Sequence, residues 1–173
     1  MRVLIYGFGP YRQFRDNITA KIIRQLPKSD DLRKIVFPVR FNRKQFVQAL
    51  KRNRPDAVLG LGQSSRHRIE VESYAANRKR ERASDRPKRI STNGPTHRRT
   101  TLEIKAGRQA GKSINAGDYV CNYSMYVMLD HIALKHLKIL FAFVHIPHDY
   151  DWRKATRFVQ RVLRQCVGRP RSG

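Results

Sequence analysis

The sequence contains little cysteine, few acidic residues and no long apolar run. Its 173 residues include two cysteines, which form neither a disulfide framework nor a CxxC pair. No side chains have the spacing of metal ligands, so we expect no metal and no cofactor. The apolar run 3–6 ends at a Gly-Phe-Gly-Pro turn and is too short for a signal peptide or a membrane span. We therefore predict a cytoplasmic protein in a reducing compartment, with no membrane partner.

The shortage of acidic residues leaves a strongly basic chain. Lysine and arginine number 37 against 13 aspartates and glutamates, which gives a formal net charge of +24 at pH 7. Such a charge attracts polyanions whatever the fold is, and it permits nonspecific contact with nucleic acid. The densest basic stretch, at about 78–99, is the candidate surface for contact with nucleic acid or another polyanion. Because it contains Pro87, Gly94 and Pro95 and almost no apolar residue, we predict a loop or a partly disordered segment.

Apolar residues alternate along the chain between strand-like and helix-like spacing. We predict strands at 2–7, 34–39, 57–62, 67–76 and 137–144, and helices at 18–26, 43–51, 121–136 and about 152–167, followed by a non-helical tail. Alternating strands and helices pack as a parallel sheet that is covered on both faces. The prediction is one α/β domain spanning residues 1–173, with three α/β/α layers and a mostly parallel, twisted central sheet.

Cys121 is the candidate nucleophile, because it lies where a loop runs into an apolar helix. Unpaired backbone N–H groups and the positive end of the helix dipole favour thiolate over thiol at such a position. This position predicts that the pKa of Cys121 is lowered from its usual ~8.5. The other cysteine, Cys166, falls on the apolar side of the last helix, and we expect it in the core.

A cysteine nucleophile needs a base, and the base needs an acceptor that orients it. His145 is the best-placed base, because it ends an apolar strand and ligands bind at the carboxyl ends of strands in open parallel sheets. His148 is the rival. For the acceptor, Glu70 and Glu72 share one face of the strand 67–76 through its period of two. Spacing alone does not choose between these two carboxylates.

Several short motifs follow one another in order along the chain. They are Gly-Phe-Gly-Pro-Tyr at 7–11, Pro-Asp at 55–56 leading to Gly-Gln at 62–63, the strand from Arg66 through Glu72 to Asn77, Ala-Gly-Asp-Tyr-Val-Cys-Asn at 116–122, and Phe-Val-His-Ile-Pro at 143–147. Together they resemble the pyroglutamyl peptidase I (pyrrolidone-carboxylate peptidase) family, cytosolic cysteine peptidases that remove an N-terminal pyroglutamate. The resemblance runs through most of the chain. It implies a pyroglutamyl-peptide substrate and a homo-oligomer.

The resemblance also assigns roles to residues. It implies that Cys121 is the nucleophile, His145 the base and then the acid, and Glu72 the residue that orients the imidazole. It implies a pocket with aromatic walls and a few fixed hydrogen bonds, which suits a flat, uncharged lactam ring. The implied substrate-binding residues are Phe8 and Tyr11 on the ring faces, Gln63 and the backbone of Tyr119 and Val120 at the polar edge, and Arg82 near the oxyanion site.

The chain departs from the family pattern at four places. The loop 12–15 is not glycine-rich, Ser64 and Ser65 replace a Gly-Gly pair, Ser73 replaces an arginine, and the segment before the cysteine motif is shortened to 99–111. These changes bear on substrate specificity and on oligomer formation. Two alternatives therefore stand beside the peptidase. One is a triad hydrolase acting on another blocked or acidic peptide, and the other is a nucleic-acid or polyanion binding protein on a peptidase-like scaffold.

Overall fold

The computed structural model describes residues 1–11 and 15–167 of the chain. The described strands are β1 Val3–Phe8, β2 Leu32–Phe37, β3 Ala57–Ser64, β4 Ile69–Glu72, β5 Tyr74–Ala76, β6 His97–Arg99, β7 Ala110–Ser113 and β8 Leu140–Pro147. The described helices are α1 Ile18–Gln25, α2 Arg43–Asn53, α3 Val120–Leu134 and α4 Trp152–Val167, with a short 3-10 helix at Gly107–Gln109. The predicted tail after 167 and most of the loop 12–15 lie outside the described residues.

Six strands form the central sheet in the order β2-β1-β3-β8-β4-β7. The pairs of β1 with β2, β1 with β3, β3 with β8 and β4 with β7 are parallel, whereas β4 is antiparallel to β8. Only residues 65–68 connect β3 to β4, and a parallel crossover needs about a dozen residues, so the chain reverses there. The predicted mostly parallel sheet is confirmed.

Helices cover both faces of the sheet, so the predicted three layers are also confirmed. Along β1, Val3 and Ile5 face the core shared with α1 and α4, whereas Leu4 and Tyr6 face the core shared with α2 and α3. Strand residues alternate between faces with a period of two, so an uninterrupted apolar strand supplies both cores. No helix in the described ranges is both long and apolar enough to cross a membrane.

The single strand predicted at 67–76 is wrong, because the chain changes partners at Ser73. There the backbone N–H of Ser73 donates to Ser113 (2.7 Å), and its carbonyl accepts from Thr100 (3.0 Å). After this residue the chain leaves the central sheet as β5 and pairs with β6 in a separate antiparallel ribbon. Hydrophobic alternation continues through the break, so the pattern alone could not reveal it.

The basic segment 78–99 folds as a loop on α3 that closes with β6. Asn77 holds its base: the side-chain oxygen accepts from the N–H groups of Ile90 and Ser91 (2.9 Å each), and its amide donates to the carbonyls of Ser91 (2.8 Å) and Gly94 (3.2 Å). The phenol of Tyr126 donates to Pro95 (2.8 Å). A buried polar side chain thus orders a segment that lacks an apolar core of its own.

Candidate active site

A short loop delivers Cys121 to the first turn of α3. Gly117 adopts φ +81, a left-handed conformation that suits glycine, and its N–H donates to the side-chain oxygen of Asn115 (3.0 Å). Tyr119 is the N-cap residue and makes no capping hydrogen bond through its side chain. Because the first N–H groups of a helix have no intrahelical partners, the start of α3 presents donors beside the sulfur.

Cys121 and His145 meet beside Gly62. Gly62 on β3 is the parallel partner of His145 on β8. A Cβ placed on Gly62 would lie 2.8 Å from Cys121 Sγ and 2.8 Å from His145 Nε2. The two atoms therefore lie no further apart than twice that distance, and the missing side chain provides the space for them.

Glu72 completes a Cys-His-Glu arrangement. His145 Nδ1 and Glu72 Oε1 are 2.6 Å apart, and both residues are buried. A proton on Nδ1 donates to the carboxylate, which leaves Nε2 as the basic nitrogen facing Cys121. The antiparallel pairing of β4 with β8 brings Glu72 within reach of His145.

The other candidate carboxylate, Glu70, turns to arginines and not to His145. It forms ion pairs with Arg66 and, at 3.8 Å, with Arg68. Arg66 also bonds Glu72 Oε1 (2.9 Å), the hydroxyl of Ser113 (3.1 Å) and the carbonyl of Asn115. One guanidinium thus joins the carboxylate that supports the imidazole to the loop that precedes the cysteine.

The surroundings of Glu72 keep its carboxylate ionised. Burial acts to raise the pKa of Glu72, but the hydrogen bond and charge of His145 act against it, together with a hydrogen bond to Ser113 and the charge of Arg66. The net result is a pKa below the usual value. At neutral pH the group therefore acts as a fixed negative acceptor for the imidazole.

The prediction of a lowered pKa for Cys121 is wrong. Burial and, to a smaller extent, the negative charge of Glu72 raise the pKa of Cys121 to about 12, because its own backbone N–H lowers it too little to compensate. The position at the helix start is as predicted, but the loss of solvation outweighs the dipole. The sulfur is a thiol in the free protein, so the chemistry needs a base beside it.

A cavity of about 250 Å³ opens beside the cysteine. The predicted residues Phe8, Tyr11, Gln63, Tyr119 and Val120 line it together with Cys121. The remaining lining residues are Asn17, Val39, Ser64, Ser65 and His148. The sequence assigns none of them to substrate binding, although His148 is the rival base and Ser64 and Ser65 are departures from the family pattern.

Fixed contacts shape the walls of this cavity. The ring centroids of Tyr11 and Tyr119 are 5.1 Å apart, and Phe41 packs edge-on against Tyr119 at 5.2 Å. The side-chain oxygen of Gln63 accepts from the N–H of Ile18 (3.0 Å), so its amide NH₂ is the end that can donate to a ligand. The cavity therefore combines aromatic surface with an oriented polar group.

The structure does not bring Arg82 to the cavity. Arg82 is exposed, and its backbone N–H donates to Asp85 (3.0 Å) within the basic segment. Arg80 lies nearer the cysteine loop: its Nε pairs with the Asp118 carboxylate (2.9 Å), and its N–H donates to the Asp118 carbonyl (2.6 Å). Neighbouring arginines in a basic run look alike in sequence, so spacing could not distinguish them.

Asn122 is a structural contributor that the sequence analysis left without a role. Its side-chain oxygen accepts from the N–H of Ala76 (2.8 Å), and its amide donates to the carbonyls of Ala76 (2.9 Å) and Arg78 (2.8 Å). The side chain is fully buried. It therefore fastens the residue after the nucleophile to β5. Its position within the motif around Cys121 was the signal available.

The chain is similar to known proteins in both sequence and structure. Residues 1–151 match the family model described as pyroglutamyl peptidase. The chain is 32% identical to the pyrrolidone-carboxylate peptidase of Brevibacillus brevis, covering 84% of this chain and 78% of that protein. It is 30% identical to pyrrolidone-carboxylate peptidase 1 of Caldanaerobacter subterraneus, covering 86% and 83%. A mutant pyrrolidone carboxyl peptidase from Pyrococcus furiosus has a similar structure, with a TM-score of 0.86 at 25% identity, covering 96% of this chain and 98% of that chain.

Proposed function

The chain belongs to the pyroglutamyl peptidase family, and we propose that Cys121, His145 and Glu72 carry out its reaction, the removal of an N-terminal pyroglutamate from peptides. The observation that carries this proposal is the convergence of Cys121 Sγ and His145 Nε2 beside Gly62, with His145 bonded to Glu72. A nucleophile, a base and an orienting acceptor are the three parts that acyl transfer through a thiol requires.

The high pKa of Cys121 defines the first step. His145 Nε2 removes the thiol proton as the sulfur attacks the scissile carbonyl carbon, so proton transfer and attack are coupled. The imidazolium, held by Glu72, then gives this proton to the leaving amine as the C–N bond breaks. Water, deprotonated by the same imidazole, hydrolyses the thioester and releases pyroglutamate and the free thiol.

The start of α3 supplies the oxyanion donors in this proposal. The negative oxygen that forms on the attacked carbonyl needs N–H groups at hydrogen-bonding distance. Backbone N–H groups at the start of α3, around Cys121, have no partners within the helix and lie beside the sulfur. Arg82, the donor that the family resemblance implied, is not among the described residues that line the cavity, so the proposal does not use it.

The cavity supports a small, flat, uncharged first residue. Phe8, Tyr11 and Tyr119 provide apolar surface, and the amide of Gln63 provides a donor for the lactam carbonyl. No arginine, lysine, aspartate or glutamate is among the described residues that line the cavity. A free N-terminal amine would therefore lose its hydration without gaining a counter-charge, which favours the blocked pyroglutamyl ring.

The test is release of a fluorogenic amine from a pyroglutamyl amide at neutral pH under reducing conditions. We expect turnover by the natural protein and by Cys166→Ala, whose thiol is buried in the core, and none by Cys121→Ala or Cys121→Ser. The matching prolyl amide, which carries a charged ring nitrogen, should not react. Turnover by a folded Cys121→Ala variant would exclude Cys121 as the nucleophile. Inactivity of the folded natural protein on the pyroglutamyl amide would favour another blocked peptide as substrate.

A cytoplasmic location, predicted from the composition, and a homo-oligomer, implied by the family resemblance, both stay predictions. Sedimentation of the purified protein tests the second, because a monomer of 20.3 kDa is easily distinguished from a dimer or a tetramer. A monomer that is fully active on the pyroglutamyl amide would show that the site needs no partner subunit.

A further inference from the structure

A second concave surface lies at the opposite end of the sheet from the cysteine cavity. The triad and the cavity lie at the carboxyl ends of β1, β3 and β8, whereas this groove lies at their amino ends, beside the last turns of α2 and α3. It encloses about 730 Å³. Its cationic lining residues are Arg2, Lys51, Arg54, Lys135 and Lys138, and we name this surface the basal groove.

The basal groove carries a concentrated, uncompensated positive charge. All five cations are exposed, and none forms an ion pair with any residue in 1–11 or 15–167. Among the described residues, Asp56 is the one acidic residue that lines the groove, and its carboxylate accepts from the backbone N–H of Arg2 (2.7 Å). Five cations against one carboxylate leave an excess of four positive charges on one surface.

Helix ends explain only part of this cluster. Both α2 and α3 end at the basal groove, and basic residues commonly stabilise the negative end of a helix dipole. Each dipole end is equivalent to about half a negative charge, so two ends offset roughly one of the four excess charges. The remaining positive charge still requires counterions or a ligand.

His131, which also lines the groove, reports this positive potential. Burial and the charges of Lys51, Arg43 and Lys135 lower the pKa of His131, and the opposing effect of Asp130 is smaller. An anion bound in the groove would oppose those three cations and raise the pKa of His131. The histidine is thus a local probe of occupancy.

The basic segment 78–99 is the other candidate for this role, and three of its nine lysines and arginines already have acidic partners. Lys79 pairs with Glu81 at 2.6 Å, and Arg80 pairs with Asp118. Arg98 pairs with the buried Asp130 at 2.8 Å. Charges engaged in ion pairs contribute less to the attraction of an external polyanion.

We propose that the basal groove binds the phosphodiester backbone of duplex nucleic acid. Three of its five cations are lysines, which bind phosphate as mobile point charges. No Phe, Tyr or Trp is among the described residues that line it, so it offers no surface for stacking unpaired bases, and this favours a duplex over a single strand. The binding is sequence-independent and separate from the peptidase site.

The test measures binding of a fluorescein-labelled random-sequence DNA duplex of about 20 base pairs by anisotropy over a range of salt concentrations. The groove variant carries Lys51→Gln, Arg54→Gln, Lys135→Gln and Lys138→Gln. The control variant removes the same charge from scattered, exposed positions through Lys28→Gln, Lys44→Gln, Lys154→Gln and Arg157→Gln. Peptidase activity of both variants verifies that they fold.

We expect the groove variant to lose at least ~10-fold in affinity at 100 mM salt, and the slope of log K against log salt to flatten by about 3.6, because roughly four phosphate contacts are removed. The control variant should lose about twofold or less. In the natural protein, the duplex should raise the pKa of His131 in NMR titrations. Equal losses in both variants, or no binding by the natural protein, would overturn the proposal. Binding to anionic lipid vesicles but not to DNA would overturn it in favour of a membrane surface.

Discussion

Gly62→Ala is expected to separate Cys121 from His145 without unfolding the protein. The new methyl carbon would lie 2.8 Å from Sγ, 2.7 Å from His145 Cδ2 and 2.8 Å from Nε2. Ordinary contacts between heavy atoms are about 3.5–4.0 Å, so the sulfur and the ring must each move by roughly 1 Å. A displacement of that size at reacting groups costs about 100-fold in rate, whereas overpacking costs ~1–3 kcal/mol of stability.

Two other glycines provide matched controls. At Gly60 a methyl group would lie 2.3 Å from Phe143 and 2.7 Å from Tyr6, both in the core, so Gly60→Ala should lower stability more than Gly62→Ala does. At Gly9 the nearest atoms would lie 3.8 Å and 4.0 Å from the new methyl group, which are normal contacts. Gly9→Ala should therefore change neither stability nor activity. None of these glycines has a positive φ, so the series varies contact without backbone strain.

The assay combines kcat/KM on a pyroglutamyl amide with urea denaturation of each variant. We expect Gly62→Ala to lose about 100-fold in kcat/KM while remaining folded, and Gly9→Ala to match the natural protein. If Gly62→Ala keeps more than about a tenth of the natural kcat/KM, the distance between Sγ and Nε2 does not limit the reaction, and the geometric reasoning is refuted.

Three further predictions address charge. Because burial raises the pKa of Cys121 to about 12, alkylation of Cys121 by iodoacetamide in the Cys166→Ala variant should rise about tenfold per pH unit from pH 7 to 10, and a plateau below pH 8 would contradict this pKa. The pKa of Glu72 lies below its unfolded value of 4.5, so its contribution to stability is complete above that value and is lost as the pH falls through the folded pKa. Urea denaturation should therefore show the natural protein more stable than Glu72→Gln at pH 7, with a difference in the free energy of unfolding that shrinks on acidification below 4.5. A difference that grows on acidification would show that folding raises the pKa of Glu72 and does not lower it. Asp130 is buried between Arg43 (3.2 Å) and Arg98 (2.8 Å), so Asp130→Asn should lower the free energy of unfolding by ~3 kcal/mol and leave folded activity intact, whereas a loss under about 1 kcal/mol would indicate a surface-like pair.

Local patterns predicted most of the fold. The apolar run of β1 and the spacing in α1 and α4 depend on residues close in sequence, and the structure places those elements within a few residues of the prediction. The reversal at β4 was not predictable in this way, because it depends on how few residues connect β3 to β4 and on which strand lies between them in the sheet. Hydrophobic alternation predicts neither the consequence of that short connection nor the order of the strands.

The substrate-binding residues predicted from the sequence line the cavity, with Arg82 as the exception, but the sequence did not predict the electrostatic environment of the cysteine. The position of Cys121 at a helix start follows from local sequence, and the dipole argument treats it as if it were solvated. The loss of solvation comes from β3 and β8, which are distant in sequence and pack around the sulfur. Similarly, residue spacing left Glu70 and Glu72 open and the motif match chose Glu72, but only the tertiary fold shows that Glu72 contacts His145 and Glu70 contacts arginines.

The strand order also determines when, during synthesis of the chain, the proposed triad is complete. Residues 1–64 build β1, β2 and β3 with α1 and α2, but the other edge of β3 pairs with β8, so that Ala57 meets Leu140. At about 5–20 residues per second, that apolar edge stays open for roughly 4 to 17 s while the ribosome completes β8. An open edge strand is a template for aggregation, so this interval is where a chaperone would act. Since His145 lies on β8 itself, the strand that joins β3 to β4 also supplies the proposed base.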